Sequence, residues 1–237
     1  MTQPRSPWWD PGRFVKTLSF FGAVPFLSEQ EWFQTLMGSR PHPTVALANR
    51  PQPNRQSMHN SPFLLVDFAN PTPEIAEMWG ALDDVVMGGV SESSLRLVDG
   101  TGVFGGVVST ANSGGFASVR SRNIQPPLDL SGYTGMELRL KGDGQRYKFF
   151  VRTETQWDGL AHCYSFDTTA DEWMTIQMPF CDFVAVFRAR TVSDRPINPS
   201  HVVAFQLMLS KFEYDGALNP HFAPGAFHLH IAAIGVY

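Results

Sequence analysis

The sequence predicts an all-β fold, a jelly-roll sandwich of antiparallel sheets. Three observations lead there: from Phe63 onward hydrophobic residues recur with a period close to two, glycine and proline interrupt that pattern at short intervals, and no strand-helix-strand alternation appears. Composition agrees. Of 237 residues 43% are hydrophobic, and 20 Gly, 18 Pro, 19 Phe and 6 Trp suit many short strands joined by turns better than long helices.

The strands can be placed one by one. Phe63–Phe68 is a near-continuous apolar run, and Ser93–Val98 alternates. Met136, Leu138 and Leu140 face away from Glu137, Arg139 and Lys141. Further strands are expected over Tyr147–Thr153, Ala161–Phe166, Trp173–Met178, Val203–Leu209 and Ala226–Val236, the last with Phe227, Leu229 and Ile231 on one face. Eight or more strands must share a single core.

Residues 1–60 have a different texture and read as a helical extension with a linker. Arg5, Arg13, Lys16, Arg40, Arg50 and Arg55 against Asp10, Glu29 and Glu31 make this portion +3, which leaves −7 for the remainder of a chain whose net charge is −4. Asp10 followed by Pro11 reads as a helix N-cap and first helical position, leading into Phe14, Val15, Leu18 and Phe21. Pro25 ends that helix, Ser28 with Glu31 opens a second candidate through Met37, and the stretch Pro41 to Pro62 is a Pro/Asn/Gln-rich linker. Two readings of the first helix stay open. It packs its Phe stripe on the sandwich, or it uses Trp8, Trp9, Arg13, Phe14 and Lys16 for contact with a membrane surface or a partner.

Several function classes fall away on composition and pattern. A sequence pI near 5.9 lacks the attraction that binding a phosphate backbone requires, so no nucleic acid partner is expected. No run of about 18 apolar residues occurs, and prolines interrupt the first residues where a secretory signal needs an apolar stretch. A cytoplasmic protein is expected, peripheral at a membrane surface where the helix is read as touching lipid. Cys163 and Cys181 sit in no CxxC pattern, and packing is their expected role. There is no G-x-S-x-G elbow, no HExxH, no GxxxxGK and no clustered Cys/His set, so no catalytic residue, no cofactor and no metal is expected. His228 and His230 lie two apart on a strand, where polar-face histidines are as simple an account as chelation. Trp157 beside Asp158-Gly159 is the candidate for stacking on a sugar, with a lid on the core edge as the alternative reading.

Three glycine-containing motifs remain. Asp83-Asp84-Val85-Val86-Met87-Gly88-Gly89-Val90-Ser91 pairs carboxylates with a tight loop; a structural loop or partner contact, bound calcium, and acid-base work are the alternatives. Asn112-Ser113-Gly114-Gly115-Phe116 reads as a turn accepting positive φ ahead of a strand carrying Arg120. Lys141-Gly142-Asp143-Gly144-Gln145-Arg146-Tyr147 reads as a hairpin, since Tyr147 and the lack of a following helix spoil a dinucleotide fingerprint.

Taken together, the order and spacing of Trp79…Asp83-Asp84-Val85-Val86-Met87-Gly88-Gly89-Val90-Ser91, Phe104-Gly105-Gly106, Asn112…Gly114-Gly115-Phe116-Ala117-Ser118-Val119-Arg120, Lys141-Gly142-Asp143-Gly144…Tyr147 and Gly225…Phe227-His228-Leu229…Ile234…Tyr237 resemble the complex I intermediate-associated (CIA) family, the NADH:ubiquinone oxidoreductase intermediate-associated domain, over about residues 63–237. Asp84-Val85 departs from the Asn-Asp-Gly-like run of the family pattern. The resemblance implies a galactose-binding-like jelly roll with no catalytic residues. It further implies a chaperone-like assembly factor whose partners are subunits or intermediates of a membrane electron-transport complex. The Trp8-Trp9-Asp10…Gly12-Arg13-Phe14 opening is similar to extensions on members from photosynthetic lineages, which widens the clients to an NDH-1-like complex or a photosystem. A carbohydrate- or small-ligand-binding module of the same fold is the alternative. Asp83, Asp84, Met87, Gly88, Gly89, Asn112, Gly115, Arg120, Arg139 and Asp143 are the candidate partner-binding residues, with Asp83, Asp84, Arg120, Arg139 and Asp143 expected near one surface.

Overall fold

The computed structural model describes residues 11–21, 63–156 and 158–237. The expected N-cap Asp10, the second helix Ser28–Met37, the linker from Pro41 to Pro62, and Trp8, Trp9 and Trp157 lie outside the described residues. In chain order the elements are α1 (Pro11–Phe20), β1 (Phe63–Asp67), α2 (Pro73–Glu77), β2 (Trp79–Ala81), β3 (Glu92–Val98), β4 (Thr101–Val108), β5 (Phe116–Ser121), β6 (Gly135–Lys141) and β7 (Arg146–Arg152). Then follow β8 (Ala161–Asp167), β9 (Trp173–Pro179), β10 (Val184–Phe187), β11 (Arg190–Thr191), β12 (Ala204–Ser210) and β13 (Gly225–Val236). Helix α2, not anticipated from the sequence, starts where the Thr72 hydroxyl accepts the Ile75 N–H and Pro73 supplies a preset φ.

The strands form two antiparallel sheets packed face to face. One runs β3-β4-β13-β6-β9, with β1 also paired to β13, and the other β11-β10-β8-β7-β12-β5-β2. Alternation sends Phe104, Leu138, Leu140, Phe227, Leu229 and Ile231 inward from the first, and Ala117, Val119, Tyr147, Phe149, Phe205 and Leu207 inward from the second. The opposite side of the seven-stranded sheet is not a solvent face. Phe150, Ala161, Cys163 and Val186 form a smaller buried cluster there, with Met208 and Tyr214 against it. Cys163 packs as expected, and burial pushes its thiol up to about 12. Cys181 does not, since it is exposed.

The segment Lys141–Tyr147 is a crossover rather than a hairpin. β6 pairs with β13 and β9, whereas β7 pairs with β12 and β8 in the other sheet. Asp143 directs the crossing. Its carboxylate accepts the Gln145 N–H at 3.2 Å, the Tyr147 hydroxyl at 2.9 Å and the His228 N–H at 3.1 Å, which draws the loop over the end of the sandwich.

Phe104 shows how the core holds the sheets together. It is fully buried, with its ring 5.0 Å from Phe227 and 6.3 Å from Tyr147. Phe104→Ala is expected to lower stability by about 3–5 kcal/mol. Val107→Ala three residues on, where the side chain is 52% exposed, should change it by less than about 0.5 kcal/mol. Urea unfolding midpoints compare the two.

Candidate functional site

The Asp83-Asp84 motif lies where β2 leaves the seven-stranded sheet and the chain returns as β3 of the other. Both carboxylates are buried, at 1% and 0% exposure. Asp83 Oδ1 accepts the Ser93 hydroxyl at 2.6 Å and the Ser118 N–H at 2.9 Å, while Oδ2 accepts the Ser93 N–H at 3.0 Å and Arg13 Nη2 at 3.3 Å. Asp84 Oδ1 accepts the Ser91 N–H at 2.9 Å. Its Oδ2 accepts the Ser91 hydroxyl at 2.7 Å and the N–H groups of Gly115 at 2.7 Å and Phe116 at 3.3 Å. Each aspartate therefore ties the β3 strand region to the β5 region across the two sheets.

Donors on every side suit an anion and repel a cation, which needs converging oxygen acceptors. That geometry disfavours the calcium alternative, and burial removes the pair from acid-base work on a substrate. Among the described residues no group of three or more His, Cys, Asp and Glu side chains could hold a metal ion. His228 and His230 stand side by side on the six-stranded sheet, their rings 5.6 Å apart.

Above the buried pair, residues Asp84–Met87 form a 3₁₀ turn that ends at Gly88 with φ 89°. The Gly88 and Gly89 N–H groups close it onto Val85 O at 3.1 Å and Asp84 O at 2.9 Å. Gly89 lies so close to Asp84 that a Cβ would stand 2.3 Å from its carboxylate. Gly115, at φ 141°, turns its N–H onto the same carboxylate. Asn112, at φ 54°, reaches across to Gly88 O at 3.4 Å and joins the two loops. Met87 stands at the apex, 72% exposed.

Thus Asp83, Asp84, Met87, Gly88, Gly89, Asn112 and Gly115 do come together. Arg139 and Asp143 do not join them. Arg139 lies on the outer face of the six-stranded sheet, 5.6 Å from the Trp173 ring, and Asp143 sits in the crossover already described. Arg120 is buried on the outer face of the seven-stranded sheet, opposite Val119 and Ala117. Its guanidinium is drawn down to about 9 by burial and then by the neighbouring Arg152. Arg120 and Arg152 therefore lie close together on that face. Ser91, Ser93 and Ser118 were missed from the sequence; two serines spaced by two after an Asp pair were the available signal.

Helix α1 reaches this site. Arg13 meets Asp83 and also donates to Ser91 O at 3.0 Å, Thr17 is buried, and Phe20 and Phe21 lie near Arg122 and Arg120. Lys16 is exposed. Docking on the sandwich is therefore the reading the geometry supports for Arg13. Among the described residues no helix is long and apolar enough to cross a membrane.

A family model described as Complex I intermediate-associated protein 30 (CIA30) matches residues 66–231. The chain belongs to this family. CIA30 is associated with the assembly of respiratory complex I, and its members are assembly factors generally without catalysis. No curated protein matches this CIA30 chain. Among solved structures, it is similar to the family 11 carbohydrate-binding module of the cellulosomal cellulase Lic26A-Cel5E of Clostridium thermocellum, at 17% identity over 74% of this chain and 94% of that one, with a TM-score of 0.51. The same module in complex with a β-1,3-1,4-mixed-linked tetrasaccharide aligns at 17% identity over 67% of this chain and 87% of that one, with a TM-score of 0.49. At such identity the likeness shows the fold alone, a galactose-binding-like sandwich.

Two substitutions separate the roles of the aspartates. Asp84→Ala leaves the Ser91, Gly115 and Phe116 amides without their acceptor and should cost about 3 kcal/mol or more in urea unfolding. Asp83 is pushed up from 3.8 to about 6, chiefly by burial, against the opposing pull of Ser93, Ser118 and Arg13. A carboxyl raised in the folded state binds its proton more tightly there than when unfolded. Its contribution to stability is therefore full below about pH 3.8 and is lost as pH rises through about 6. Asp83→Asn should abolish that slope, measured as unfolding midpoints between those limits.

Proposed function

We propose that this chain is a non-catalytic assembly factor that holds subunits or intermediates of a membrane electron-transport complex, namely complex I, an NDH-1-like relative or a photosystem. Contact is made through the apex built from the Asp84–Met87 turn and Asn112. One observation carries the proposal: an unbranched apolar side chain, Met87, stands 72% exposed on a turn whose base is buried and bound to both sheets. A side chain so placed offers contact area without the entropy of ordering a loop, and methionine adapts to irregular partner surfaces. Asp83 and Asp84 serve the contact from beneath. Membership of CIA30 supports complex I intermediates among these clients.

The sugar-binding alternative has no comparable support. Trp157 lies outside the described residues, and the tetrasaccharide belongs to a protein that shares the fold at 17% identity.

The test compares tagged wild type with Met87→Asp, each purified from its own membranes and cytosol, separated on native gels and identified by mass spectrometry. Wild type should co-migrate with partly built subunits of an electron-transport complex. Met87→Asp should lose at least about tenfold of that association, with thermal unfolding unchanged because the side chain packs on nothing in the core. Free monomer from both fractions would overturn the proposal.

A further inference from the structure

Among the described residues, both hydrophobic clusters and the side chains packed against them come from residue 63 onward, and the family match starts at residue 66. Yet α1 is seated on a particular place, the outer face of β2 and β5. Phe20 rests on the bare backbone of Gly80, where a Cβ would stand 2.4 Å from the ring. The same ring covers the Arg122 guanidinium at 4.3 Å, and Phe21 lies 5.4 Å from that of Arg120.

The seat fits its occupant poorly in one respect. Among the described residues Arg122 Nε and Nη1 are buried and find no hydrogen-bond partner. Burial depresses the guanidinium, and Glu77 attracts it without forming an ion pair among the described residues. An aromatic ring offers these N–H groups only its electron-rich face, whereas a planar guanidinium is built to be met by a carboxylate. Charge on the sheet points the same way, because Arg120 and Arg152 also occupy its outer side and burial depresses both.

We propose that the outer face of β2 and β5 is a docking surface for a client segment, a short helix that brings a carboxylate to Arg122. Helix α1 is its resident stand-in, displaced when the client arrives. This rests on the assembly-factor reading and extends its contact from the Met87 apex along β2, since Arg13 of α1 already ends at Asp83 beneath that apex. A basic or wholly apolar segment does not meet the requirement of the surface.

The experiment uses the full chain carrying Arg13→Ala and Phe20→Ala, which removes two contacts that seat α1 and leaves both hydrophobic clusters unaltered. Fluorescent peptides copying residues 11–21 are titrated by anisotropy, one native and one with Phe20→Glu. The Phe20→Glu peptide should bind about tenfold more tightly than the native one, as a charge-assisted pair warrants. Arg122→Gln should erase that difference, and the chain with its own α1 intact should bind both peptides less well. A second measurement stays within the intact chain: Phe20→Glu should slow tryptic cleavage after Lys16 relative to wild type, and Phe20→Lys should speed it. Equal binding of the two peptides, binding of neither, or no effect of Arg122→Gln overturns the docking surface. If client capture still depends on Met87 in that event, the assembly-factor reading stands. Tight Arg122-dependent peptide binding in a chain that captures no client supports the surface and overturns that reading instead.

Discussion

Two adjacent carboxylates hold the working end of this molecule in place. Asp83 and Asp84 sit where a strand of one sheet gives way to a strand of the other, and between them they take hydrogen bonds from Ser91 and Ser93 on one side and from Gly115, Phe116 and Ser118 on the other. Backbone amides released where two strands begin are expensive to leave unpaired in a buried setting. The aspartates satisfy them, and in doing so they fix the distance between the sheets at this edge. The apex above, the joining of the 84–91 and 111–115 loops, and the anchor point for Arg13 all follow from that arrangement. Its cost is a desolvated carboxyl at Asp83, which Ser93, Ser118 and Arg13 offset in part.

The strand framework was largely legible because side-chain direction in a sheet is written into every second residue. Phe227, Leu229 and Ile231 read as one face of their strand, and all three lie in the core. Strand β4 escaped notice because Gly102, Gly105 and Gly106 break its apolar rhythm, and β2 is too short at three residues to carry one. Periodicity also says nothing about which sheet a strand joins. For that reason the Asp-Gly between β6 and β7 looked like a hairpin when it spans the two layers. The site was legible as a set of loops but not in depth. Nothing in Asp83-Asp84 announces burial; that depends on serines and amides contributed from residues up to 35 positions away. Arg120 and Arg139 looked equivalent on alternating strands, yet they point out from opposite sheets.

The two outer faces are unequal. On the six-stranded sheet, Arg139, Trp173 and His228 meet solvent. On the seven-stranded sheet, the segment after β12 folds back over the strands: Lys148 Nζ donates to Phe212 O at 2.6 Å and to Glu213 O at 3.0 Å, and the Tyr214 hydroxyl bonds to Cys163. Helix α1 covers the β2 and β5 end of the same side. Polar groups are thereby drawn into partly dry surroundings, where each charge interaction counts for more than it would in water.

Strand β13 has a bearing on how the protein is made. It is central to the six-stranded sheet, pairing with β4, β6 and β1, yet it follows every one of them in the chain. While the polypeptide leaves the ribosome, the strands that will flank β13 have no partner between them and expose edges able to pair with other chains. The layer closes only when the 12 residues of β13 arrive. The chain thus has a vulnerable interval in its own synthesis, which lasts until β13 has been made.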